Sequence, residues 1–212
     1  MTTRDLEVSP ELIASVKAYV KEYMSHYDGS HDFNHILRVV SLARRIQPTV
    51  PNTSLPLVTL CALLHDVGDK KYLKPGEDSS TLIRDKLLSL SASTLLAETA
   101  QTICLGVSYS SEIKNPTRVQ RLIEEFPELS VVQDADRLDA IGAVGVGRCF
   151  AFGGAKGRGL EDSIEHFEEK LIRLEGMMKT DEGRRLARER TERVKAMMEW
   201  WEDETANVTE DF

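Results

Sequence analysis

The sequence predicts an all-α fold, and three observations predict it. Apolar residues recur at spacings of three and four through most of the chain. Small polar residues and prolines punctuate those runs, and no segment shows the strict alternation of a half-buried strand. At 212 residues the chain can bury a substantial core without disulfides. The expectation is one domain over residues 1–212, a bundle of roughly eight helices. Its core spans about 19–201, and 205–212 form a frayed tail.

Taken in order, Ser9-Pro10-Glu11 opens the first helix, with Ser9 as N-cap and Pro10 at the first helical position. Leu12, Val16, Tyr19, Val20 and Tyr23 then share a face up to about Tyr27. Asp28-Gly29-Ser30 is a break. Asp32 caps a second helix carrying Phe33, Ile36, Leu37 and Val40, which stops before Pro48. Ser54-Leu55-Pro56 starts a third, apolar almost all round from Leu57 to His65, as suits a helix at the centre of a core. A loop through Lys71 and Pro75 precedes helices at about Ser80–Leu90 and Ser93–Leu105. The polar stretch from Gly106 to about Pro116 reads as a mobile loop. A short helix at Val119–Phe126 leads to one continuous helix over Ser130–Phe152, whose glycines admit a close neighbour. Gly153–Gly159 is a flexible basic loop. Helices over about Glu161–Lys179 and Asp181–Glu204 complete the chain.

The net charge of −8 and pI of about 5.2 argue against a nucleic-acid duplex or an anionic membrane as partner. No stretch approaches the ~18 apolar residues of a membrane span, and the first residues lack an apolar signal region. Cys61, Cys104 and Cys149, odd in number and in apolar contexts, read as free thiols of a reducing, cytoplasmic compartment. Met197, Met198, Trp200 and Trp201 form an apolar cluster for the interior or for a homodimer contact.

Three segments carry the chemistry. His65-Asp66 ends the most apolar helix, where a carboxylate is costly unless a cation compensates it. The ordinary alternative is a hydrogen-bonded core histidine beside a surface aspartate. His31 and His35 lie four residues apart, on one helix face. Asp134, Asp136 and Asp139 crowd one helix. Asp136 and Asp139 lie about 60° apart, with Asp134 facing away as a surface residue or a cap. His35, His65, Asp66 and Asp136 together form a mixed nitrogen and oxygen ligand set with open positions. It suits Mn²⁺ first, with Mg²⁺, Co²⁺, Fe²⁺, Zn²⁺ or Ni²⁺ as alternatives.

This ordered pattern resembles the HD-domain superfamily of metal-dependent phosphohydrolases, whose signature is H…HD…D. The likeness is closest to stand-alone members related to nucleotide pyrophosphohydrolases. It is carried by His31-Asp32-Phe33-Asn34-His35 with Arg38-Val39, and by His65-Asp66-Val67-Gly68-Asp69. Asp134-Ala135-Asp136-Arg137-Leu138-Asp139-Ala140-Ile141-Gly142 and His166-Phe167 with Lys170-Leu171 complete it. The resemblance implies an all-α fold holding one divalent metal. It also implies hydrolysis of a nucleotide or similar small phosphorylated metabolite, by attack of metal-bound water on phosphorus. Two-metal members usually need further histidines between the HD pair and the last aspartate, and this chain has none there.

Within that scheme Asp69 is the candidate general base, with a supporting role or an ordinary loop aspartate as the alternatives. His31 is a candidate catalytic or substrate-contacting residue. His166 and Lys170 are candidate phosphate contacts, and Lys71, Arg137 and Arg148 are weaker ones. Arg137 is equally explained by a structural carboxylate. The competing reading is a regulatory HD module that binds metal and nucleotide without turnover.

Overall fold

Three short polar side chains set the first half of the fold. In the computed structural model, which describes residues 6–69 and 73–206, Ser9 Oγ accepts from the Leu12 amide at 3.1 Å and opens α1 (Pro10–Tyr23). Asp32 Oδ1 accepts from the His35 amide at 2.9 Å and opens α2 (Phe33–Ile46). Ser54 Oγ accepts from the Leu57 amide and opens α3 (Leu55–Leu64). Each cap satisfies an amide that the helix itself leaves without a partner.

From Leu57 to Leu64 every side chain of α3 except Thr59 is buried. Burying each leucine contributes about 2 kcal/mol, so a helix with no polar face is stable only with neighbours on all sides. It has them in α1, α2, α5 (Thr94–Val107) and α8 (Glu128–Asp139). α2 packs on both α3 and α8, so the segments carrying His35, His65 and Asp136 are adjacent. α4 (Leu82–Ser89) pairs with α5, and α11 (Asp181–Thr205) closes the far side against α8 and α9 (Gly142–Ala155). The described residues contain no strand, and one hydrophobic cluster runs through all these helices. No single helix among them is long and apolar enough to cross a membrane.

Among the described residues there are eleven α-helices rather than about eight, and each difference has a cause. The polar stretch after Gly106, expected as a mobile loop, holds α6 (Tyr109–Lys114). Glu112 on it pairs with Arg137 at 2.5 Å and Lys179 at 2.9 Å, and those long-range ion pairs are invisible to local polarity. α7 then begins at Pro116 (Pro116–Glu125). The continuous helix expected over Ser130–Phe152 is broken between α8 and α9, with a bend of 71°. Gly142 there has φ +74°, and a Cβ at Gly145 would overlap the Ala140 carbonyl, so the corner requires glycine at both positions. The expected loop at Gly153–Gly159 is shorter, because α9 runs through Ala155. The long helix expected to Lys179 becomes α10 (Leu160–His166), a π-type turn over Phe167–Leu171 and a 3₁₀ stretch over Ile172–Met177.

Asp134 is fully buried, which corrects the surface reading. Its carboxylate accepts from the Lys179 and Thr180 amides, at 2.9 and 2.7 Å, and from Thr180 Oγ1 at 2.7 Å, and so caps the entry to α11. Cys61 and Cys104 are buried and Cys149 half-buried, all as free thiols. Trp201 stacks on Phe150 of α9 at 6.0 Å, whereas Trp200 is 64% exposed.

Candidate metal centre

The ends of three helices meet at one point. His35 stands in the first turn of α2, His65 follows the last residue of α3 and Asp66 comes next. Asp136 lies in the last turn of α8. The His35 and His65 side chains are buried, and Asp66 is nearly so. Nε2 of His35 lies 3.2 Å from Nε2 of His65 and 3.3 Å from Asp66 Oδ2. His65 Nε2 is 3.4 Å from Asp66 Oδ1, and both rings face Asp136 Oδ1 at 3.6 Å.

The hydrogen bonds behind the rings determine what that point can hold. His65 Nδ1 donates to the Ala62 carbonyl at 2.9 Å, one of the acceptors left over at a helix C-terminus. His35 Nδ1 donates to Asp139 Oδ2 at 2.8 Å. With both Nδ1 hydrogens engaged, each neutral ring turns its Nε2 lone pair inward, toward two carboxylates. Asp66 Oδ2 is moreover buried without a hydrogen-bond donor. Four electron-rich atoms facing one another repel unless a cation or a proton lies among them. The two carboxylates contribute the charge that a divalent ion cancels, and imidazoles held by their second nitrogen are the usual arrangement of histidine ligands. The residues present fit a divalent metal.

Protons can do part of the same work. Burial opposes a charge on His65, yet Asp66 and Asp136 outweigh it and hold its pKa up at about 10. Burial likewise opposes ionisation of Asp66 and Asp136, but the imidazoles His65 and His35 bring both below the ordinary carboxylate range. A metal ion entering the cluster therefore displaces a proton.

A second layer supports the first. Asp139 lies on the opposite side of the His35 ring from Asp136 and accepts four times. Besides His35 it takes Arg38 Nε at 2.8 Å, Arg38 Nη2 at 3.0 Å and Arg148 Nη1 at 3.1 Å. The sequence reading noted Asp139 only as one of three carboxylates, and did not assign it to His35. The Asp-x-x-Asp spacing was the available signal, since it lets one helix flank a single ring.

The remaining candidates fall in two groups. Asp69 follows Gly68, whose φ of +82° reverses the chain after Asp66. Its amide donates to the Asp66 carbonyl at 3.2 Å. Burial, then Tyr23, raise the Tyr27 hydroxyl pKa, and the nearby charges of Asp66 and Asp69 add to the rise. The His31 ring is 6.0 Å from that of His35 and 6.0 Å from Phe152 of α9. His166 and Lys170 form a separate group, with Lys170 over the Tyr109 ring at 5.0 Å. Burial, then Lys170 and Arg158, lower the His166 pKa. Lys170 lies on the π-type turn that follows His166. Arg137 is buried against Glu112 and the Met177 carbonyl, as the structural reading allowed. Lys71 lies outside the described residues.

Comparison with known proteins agrees with this geometry. The HD-domain family model matches residues 32–141, from the cap of α2 to the corner after α8. The uncharacterized protein YpgQ of Bacillus subtilis is 35% identical over 182 residues, covering 82% of this chain and 84% of that protein. The crystal structure of B. subtilis YpgQ in complex with ADP superposes with a TM-score of 0.76 at 33% identity, over 93% of this chain and 97% of that one. An HD-superfamily hydrolase from Bacillus thuringiensis superposes with a TM-score of 0.62 at 28% identity, over 93% and 98% of the two chains. The chain belongs to the HD-domain family of metal-dependent phosphohydrolases.

Proposed function

We propose that the protein hydrolyses a phosphate ester or anhydride of a nucleotide, or of a similar small phosphorylated metabolite, using one divalent ion with Mn²⁺ foremost. The observation that carries this reading is the convergence of two inward Nε2 lone pairs and two carboxylates on one point. The ADP bound by YpgQ supports a nucleotide as the ligand class.

His35, His65, Asp66 and Asp136 would hold the ion. When bound, it would lower the pKa of a water molecule and polarise a phosphoryl oxygen. Asp69, on the turn after Asp66, would accept the proton of that water. His31, on the Phe152 side, would contact the phosphoryl oxygens or the leaving group. Lys170 and Lys71 would supply positive charge, and His166 a hydrogen bond, to the rest of the phosphate chain. The buried walls of α2, α3 and α8 keep bulk water from the ligands and strengthen each of these interactions.

A panel of nucleoside mono-, di- and triphosphates, incubated with purified protein and Mn²⁺, tests the reading by release of phosphate or pyrophosphate. Turnover that disappears in H65A and D66A supports it. Saturable nucleotide binding with no product over long incubation would replace it with the regulatory reading.

A further inference from the structure

Arg148 makes two contacts with one guanidinium. Its Nε donates to the Ser30 carbonyl at 2.6 Å, and its Nη1 to Asp139 Oδ2 at 3.1 Å. A side chain of α9 thus ties the segment before α2 to the end of α8. Ser30 is 1% exposed, and its hydroxyl hydrogen is committed. A carboxylate only accepts, so Ser30 Oγ donates to Asp28 Oδ1. The Ser30 amide donates to the same oxygen at 3.0 Å.

The 2.7 Å contact between Ser30 Oγ and His31 Nδ1 then has one solution. The ring nitrogen carries the hydrogen and the hydroxyl oxygen accepts it. His31 is held as the Nδ1–H tautomer, the less common one in a free histidine side chain, which places the lone pair of the neutral ring on Nε2. The geometry points to Arg148 as a positioning residue. Through Ser30 it fixes the tautomer and orientation of His31, and through Asp139 it holds the ligand His35, so one side chain sets the relation between the two rings. Lysine cannot reproduce this, because a single ammonium lacks the fixed fork that reaches a carbonyl and a carboxylate together. The consequence for turnover rests on the hydrolase reading above; the geometry does not.

Nitrogen-15 NMR of the histidine rings in the full, metal-free chain reads tautomers directly. The wild type is expected to show His31 with its hydrogen on Nδ1. In R148A and in S30A that signal shifts to the Nε2–H form or to an exchanging mixture, and R148K resembles R148A. With Mn²⁺ and a nucleotide substrate, R148A and R148K are both expected to lower kcat about 10–100-fold, the usual range for a residue that orients a ligand, while KM changes little. The R148A/S30A pair should be no slower than the slower single variant. A wild-type tautomer at His31 in R148A overturns the proposal. So does a raised KM at unchanged kcat that R148K restores, since that pattern marks a contact with substrate phosphate. If the wild type turns over no nucleotide, the hydrolase reading fails while the NMR spectra still decide this one. Should R148A not fold, R148K and S30A carry the same comparison.

Discussion

Two charge clusters sit on opposite faces of α8, only two residues apart. On one face, Glu112 pairs with both Arg137 and Lys179, while Asp134 accepts from the backbone amides of Lys179 and Thr180. Every oxygen of Asp134 accepts a hydrogen bond there. On the other face, Asp136 and Asp66 meet two histidines whose inner nitrogens offer lone pairs, and one oxygen of Asp66 has no donor. In the first cluster every carboxylate oxygen is satisfied, and the one buried atom without a partner is a donor, Arg137 Nε. The second is complete only with a cation. The difference teaches how to separate a structural ion network from a metal site: burial and acidity are shared, and the unsatisfied acceptor distinguishes them.

The largest expected effect separates the two clusters by function. H65A or D66A should lower turnover about 10²–10³-fold, the several kcal/mol a metal supplies to phosphoryl chemistry. Metal per chain, read by elemental analysis after gel filtration, should fall with it. Thermal stability of metal-free D66A should hold or rise, because one carboxylate leaves the crowded cluster, whereas metal-free H65A should lose stability, because the protonated ring offsets Asp66 and Asp136.

The converse substitution is E112Q. It leaves Arg137, with a side chain 2% exposed, facing a neutral partner, and should destabilise by about 3 kcal/mol in urea unfolding. Metal content per folded chain should stay unchanged. Loss of metal in E112Q would mean that the clusters are not independent.

D139N probes the layer behind the ligands. Removing the charge that orients His35 should weaken Mn²⁺ binding about 10–100-fold without abolishing it. Mn²⁺ titration followed by electron paramagnetic resonance measures this.

The smallest effect per step is the pH dependence. His65 in the metal-free chain keeps its proton up to about pH 10, and a metal ligand must be neutral. Apparent Mn²⁺ affinity should therefore rise about tenfold per pH unit from neutrality toward 10. Calorimetry in buffers of different ionisation enthalpy should show about one proton released per ion. In the metal-free chain the sign is opposite. A folded-state pKa raised above the ordinary histidine value gives stability that is full below about pH 6.5 and is lost as pH rises through about 10. Urea midpoints across that range check it.

The sequence revealed the helical class, the three N-caps and the four residues that converge, because caps, apolar periods and ordered motifs are local signals. It did not reveal the corner at Gly142, since an apolar run rich in glycine is compatible with either a straight helix or a break. Nor did it reveal α6, whose stability comes from Arg137 and Lys179, 25 and 67 residues from Glu112. Of the two readings of Asp134, surface residue or cap, the sequence could not choose for the same reason: its partners Lys179 and Thr180 lie 45 and 46 residues away, at the entry to α11. The support of His31 by Ser30 and Asp28 lay in plain view as three polar neighbours, but the direction of each hydrogen follows only from the folded geometry.

The stacking of Trp201 on Phe150 has a practical side. Phe150 is two residues before Phe152, whose ring meets His31, so the indole is joined by one turn of α9 to the wall of the centre. The other indole, Trp200, projects into solvent and should be quenched readily by iodide. A W200F chain would then emit from Trp201 alone, and its fluorescence would serve as an intrinsic reporter of ion loading and nucleotide entry, with no attached dye.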